Sequence, residues 1–198
     1  MAVSRSNLSG DVKAAGIGVA IGLFGIMAYS ALAPVSIRTS PTIAQSKGWT
    51  ETAWPFAVDP WWPSRAFSCP AATCGADVTL LVRAKLGFCN CATGVADDDE
   101  LERIADFRLI SGTHAPVADG RTIVAAGLNG RARLYRIEGP TLAGGSGSAL
   151  LIGVNDRCDA IVATAAIAGG SSSAVERSII QFLDSPAMRG WAEKTLGL

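Results

Sequence analysis

The pattern of apolar and polar positions separates an N-terminal run from a patterned remainder. Residues 1–13 form a short tail, and no residue from Ala14 to Ile37 is charged. A helix over 14–35 reaches the roughly 20 apolar residues needed to cross a bilayer. The expectation is a transmembrane helix or uncleaved signal anchor. A cleaved signal peptide is the alternative, with Ala31-Leu32-Ala33 as its small-residue pattern; Pro34 directly behind that site and the length of the run argue for the anchor. Arg5 and Lys13 ahead of the run favour an inside N-terminus, so everything beyond it faces outward. Residues 36–48 are polar and read as a linker, leaving 49–198 as a single exported domain.

Within that domain the spacing changes several times. Trp49, Trp54, Trp61 and Trp62 are interleaved with Pro55, Pro60 and Pro63, a proline density that predicts an extended segment. From Asp77 to Phe88 the residues alternate, with Val78, Leu80, Val82, Ala84 and Leu86 on one face, as in a half-buried strand. Asp97 to Glu100 precede Leu101, Ile104 and Ala105 and predict an Asp-capped helix over roughly 98–108, with Glu100 completing a capping box. Runs 122–128 and 131–137 flank Asn129-Gly130, a dipeptide suited to a two-residue hairpin turn. Two further apolar runs, 149–154 and 160–167, read as strands around Asn155 to Asp159. Ser173 with Glu176, and later Ser185-Pro186, announce two terminal helices.

This order predicts an α+β domain of two layers, a mostly antiparallel sheet covered by helices on one face, behind the N-terminal transmembrane helix. It is similar to the element order of PsbP-like sandwiches. The similarity lies in order alone, so no functional residue is carried over.

Composition narrows the chemistry. The chain has 198 residues, with 17 basic and 17 acidic side chains; a zero balance offers no basic face for nucleic acid. A single histidine, His114, excludes sites built on two histidines of one chain. It lies in Ser-Gly-Thr-His-Ala-Pro, a loop composition, and no nucleophile elbow or phosphate loop accompanies it. No catalytic residue and no cofactor are assigned. The acids Asp97, Asp98, Asp99, Glu100 and Glu102 lack the ligand spacing of a calcium loop and read as a helix cap.

The five cysteines, Cys69, Cys74, Cys89, Cys91 and Cys158, are disulfide candidates in an oxidising compartment, one remaining unpaired or bridging chains. The pairing expected is between the 69/74 and 89/91 regions. The competing reading is a thiolate metal or redox site of Cys69, Cys74, Cys89 and Cys91, although the spacing misses the usual C-x2-C knuckles. Trp54, Trp61 and Trp62 are the candidate binding surface; the competing reading packs these rings into the core. Together these features point to a single-pass, membrane-anchored envelope protein. It would be held by residues 14–35 and carry a disulfide-stabilised, non-catalytic binding or assembly domain with a protein partner in the envelope. Signal cleavage would instead release it as a secreted or periplasmic protein.

Overall fold

A computed structural model of the chain describes residues 48–57, 62–107, 113–139, 142–144 and 146–198. The expected membrane helix over 14–35, the linker up to Lys47, and Trp61 lie outside them. The described elements run β1 (Thr50–Thr52), β2 (Ser64–Cys69), α1 (Ala71–Cys74), β3 (Val78–Lys85), α2 (Asp98–Ile104), β4 (Thr113–Pro116), β5 (Arg121–Ala125), β6 (Leu128–Glu138), β7 (Gly147–Asp156), β8 (Asp159–Ala168), α3 (Ser173–Leu183) and α4 (Pro186–Leu196). All eight strands join one antiparallel sheet in the order β1-β2-β3-β8-β7-β6-β4, with β5 also paired to β6. One margin is the three-residue β1. The other is a broken strand: β4 pairs with the end of β6 and β5 with its start, separated by Val117 to Gly120.

This architecture corrects the two-layer α+β expectation. The described chain is dominated by a large antiparallel sheet with a few short helices, and the sheet is covered on both faces. The reason is visible in β7 and β8, each an unbroken run of buried positions apart from its ends. Continuous apolar runs of this kind require cover on both sides, whereas a sheet wet on one face needs polar alternation. Leu150, Ile152, Val154, Ile161, Ala163, Ala165 and Ile167 face one core, closed by α3 and α4. Ala149, Leu151, Ala160 and Val162 face a second, closed by α2 and the chain leading into it. No helix among the described residues is long and apolar enough to cross a membrane.

The first core is built from rings and branched chains. Trp49 stacks on Phe182 at 4.5 Å between centroids, and Phe67 meets Phe182 edge-on at 4.8 Å. The helix α3 carries Val175, Ile179, Phe182 and Leu183 inward, the spacing of one helical face. Its N-cap is Ser172, one residue before the expected Ser173, and its side chain accepts from the Val175 N–H. In the second core α2 stops at Ile104, short of the expected 108. Asp97 caps it by accepting from the Glu100 N–H at 2.8 Å. Glu100 does not complete a capping box; its carboxylate holds Arg103 and the Asn90 N–H. Gly153 admits α2 to the sheet, since a β-carbon there would lie 3.0 Å from Leu101 and 3.1 Å from Val95.

The hairpin between β5 and β6 turns three residues earlier than expected. Ala125 pairs with Leu128, and Ala126 and Gly127 take φ of 54° and 75°, the left-handed pair of a two-residue turn. Asn129 and Gly130 belong to β6. Gly130 is there for close approach, because a β-carbon would strike the Gly153 carbonyl and the Val154 Cα on β7.

Candidate functional site

Beyond Lys85 the chain leaves the sheet but stays against the turn between β7 and β8. The Gly87 N–H donates to Asp159 at 2.5 Å, the Cys89 N–H to the Cys158 carbonyl at 3.1 Å, and the Cys89 thiol to the Arg157 carbonyl at 3.1 Å. The disulfide Cys91–Cys158 ties the same two segments. From the other side α2 holds the loop: Arg103 donates to the Phe88 carbonyl at 2.5 Å, and Glu100 accepts from the Asn90 N–H at 2.9 Å. The Val95 N–H, further on, donates to Asn155 at 2.9 Å.

An aromatic and basic face forms around this loop. Leu86 and Phe88, just beyond the end of β3, are 43% and 41% exposed. Trp62 meets Phe88 edge-on at 5.8 Å. Lys85 and Arg103 lie 5.4 and 5.3 Å from the Phe88 ring, and Arg83 lies 5.0 Å from Trp54. These are cation–π distances. Trp54 packs against the second core, next to Phe56, and its indole N–H is buried without a hydrogen-bond partner. Below the rings the Lys85 ammonium is buried and donates to the Ile104 carbonyl at 2.6 Å and to Asp106 at 2.8 Å. Trp54 and Trp62 are thus half-buried members of one surface, while Trp49 belongs to the opposite core.

The cysteines pair differently from the expected 69/74 to 89/91 staple. Cys69 bonds to Cys74 across α1, and Cys91 bonds to Cys158. Cys89 stays a free, buried thiol. The first pair lies in the α3/α4 core and Cys89 in the other, so the four thiolates of the competing metal reading are not brought together. No cluster of three or more metal-ligating side chains occurs among the described residues. Burial pushes the Cys89 thiol up, and the charges of Glu100 and Asp159 act in the same direction.

The acidic run is engaged in docking α2. Asp98 pairs with Arg131 and, at 3.4 Å, with Arg133, and it accepts from the Gly120 N–H. Glu102 accepts from Arg133 at 3.0 Å and from the Tyr135 hydroxyl at 2.7 Å. Hydrogen bonding from Arg131 holds the Asp98 carboxyl below its ordinary range, and Arg103 does the same for Glu100. Burial, then Glu102, raises the Tyr135 phenol. His114 is exposed on β4 and stacks on Phe107 at 3.8 Å. A groove of about 190 Å³ beside this network is lined by Thr93, Thr122, Asn129 and Asn155 with no titratable side chain.

The ladder of Asp98 and Glu102 on Arg131 and Arg133 went unread in the sequence. Its signal was present: acids four apart on a helix and arginines two apart on a strand each share a face. What the sequence lacked was the sheet order that sets one above the other. No protein-family model matches the chain, and no curated protein is significantly similar to it.

Proposed function

We propose that the chain is a single-pass, membrane-anchored envelope protein whose domain from residue 49 onward lies outside the cytoplasm and works by binding or assembly. The observation that carries this reading is the pair of disulfides, Cys69–Cys74 and Cys91–Cys158, since such bonds form and persist in oxidising compartments. The uncharged run from Ala14 to Ile37 supplies the means of reaching one. The exposed Leu86 and Phe88 beside Trp62 supply a surface suited to a protein partner, because aromatic and arginine side chains are the usual anchors of interfaces.

Alkaline washing of membranes from cells producing the full chain tests the reading. The chain is expected to stay in the pellet with one titratable thiol after denaturation. Leu23→Asp, costing about 2.5–3.5 kcal/mol of insertion, is expected to move it toward the soluble fraction. Full-length chain dispersed in the cytosol with all five sulfhydryls open to alkylation would overturn the proposal.

A further inference from the structure

Three of the five cysteines meet at one place, and only two of them are bonded. Cys89 donates its N–H to the Cys158 carbonyl at 3.1 Å and its thiol to the neighbouring Arg157 carbonyl, also at 3.1 Å. That backbone bond sets Cys89 directly against Cys158, the residue that already carries the bond to Cys91. Cys158 therefore has two cysteine neighbours. They differ in access: Cys89 is buried and Cys91 is exposed.

We propose that Cys89, Cys91 and Cys158 form a thiol–disulfide exchange site in which Cys89 displaces Cys91 from Cys158 and so delivers a reactive thiol to the surface. Cys89 loses its proton to solvent base, and its thiolate attacks the Cys158 sulfur. The Cys89–Cys158 bond forms as the Cys91–Cys158 bond breaks, and Cys91 leaves as a thiolate that takes up a proton. No oxidant or reductant is consumed. The exposed Cys91 thiol is then open to a disulfide-bearing partner, which it attacks to form a mixed disulfide while the partner's other sulfur leaves as a thiol.

The charges around Cys89 restrain the step. Glu100 from α2 and Asp159 from β8 disfavour its thiolate, and Arg103 from α2 favours it more weakly. Arg157 offers the site its carbonyl; its guanidinium pairs with Asp156 at 3.4 Å. Exchange should accordingly accelerate as pH rises, about tenfold per unit while the thiol remains mostly protonated.

The full chain, solubilised in detergent without reductant, is incubated with iodoacetamide at a series of pH values and its linked peptides are mapped by mass spectrometry. The proposal expects label on Cys91, together with a Cys89–Cys158 peptide, both increasing with pH, and earlier onset in Glu100→Gln. In Cys89→Ser the label on Cys91 should disappear. Label confined to Cys89, or a Cys91–Cys158 link intact across the series, would overturn it. Cys91→Ser gives a second reading: air oxidation should leave no titratable thiol, because Cys89 and Cys158 close on each other. Two persistent free thiols in that variant would equally reject the site.

Discussion

On one face of the sheet α3 and α4 lay Val175, Ile179, Phe182, Met188 and Ala192 against branched residues of β3, β7 and β8; on the other, α2 and the loop before it are held largely by charge. There Asp98 and Glu102 clasp Arg131 and Arg133, Lys85 reaches Asp106 and the Ile104 carbonyl, and Cys91–Cys158 fastens the loop. A helix of 11 residues presents enough apolar surface to dock by burial. The 7 residues of α2 bury only Leu101 and Ile104 and need further fasteners. One face should therefore respond to cavity formation, the other to pH, salt and reductant.

The largest effect is expected on the apolar face. Phe182→Ala removes the ring on which Trp49 stacks and which Phe67 meets and should cost about 4–5 kcal/mol, read from the urea midpoint. On the other face, replacing Cys91 and Cys158 together by Ser opens a closure of 67 residues, about 4 kcal/mol on the chain-entropy model; opening Cys69–Cys74 should cost only about 2. Equal losses from the two bonds would deny that the long closure secures the loop. Lys85→Met leaves Asp106 and the Ile104 carbonyl without their ammonium, and about 2 kcal/mol should be lost.

Acid separates the faces more gently. Asp98 has its carboxyl depressed from an ordinary 3.8, so its contribution is complete above about pH 4 and is lost as pH falls through the lower folded value. Amide exchange in α2 should rise in that window while α3 stays protected, and Asp98→Asn, costing about 1 kcal/mol, should flatten the response. The smallest change belongs to Trp62→Ala: a surface role predicts under about 1 kcal/mol, and a loss of 3 would place the ring in the core.

Much of this contrast was written in local pattern. The alternation from Val78 to Lys85, the Asp97 cap and the stripe of α3 are properties of neighbours in sequence, and each element is present there, with α2 ending early at Ile104 and α3 capped one residue sooner, at Ser172. The continuous apolar runs of β7 and β8 also carried the two-sided burial that a two-layer reading overlooked. Asn129-Gly130 misled for a physical reason: glycine serves both turns and close approaches, and only the register of β6 on β7 separates them. The Cys91–Cys158 pairing and the Asp98–Arg131 ladder were illegible because each joins segments about 30 or more residues apart, brought together by strand order.

The two margins of the sheet have a consequence at high protein concentration. A long straight edge invites a neighbour to extend the ladder, and from there fibrils grow. Here one border is three residues long and the other is interrupted between Pro116 and Arg121. Among the described residues neither border offers identical molecules, concentrated side by side, an extended template, and this part of the fold thereby resists aggregation.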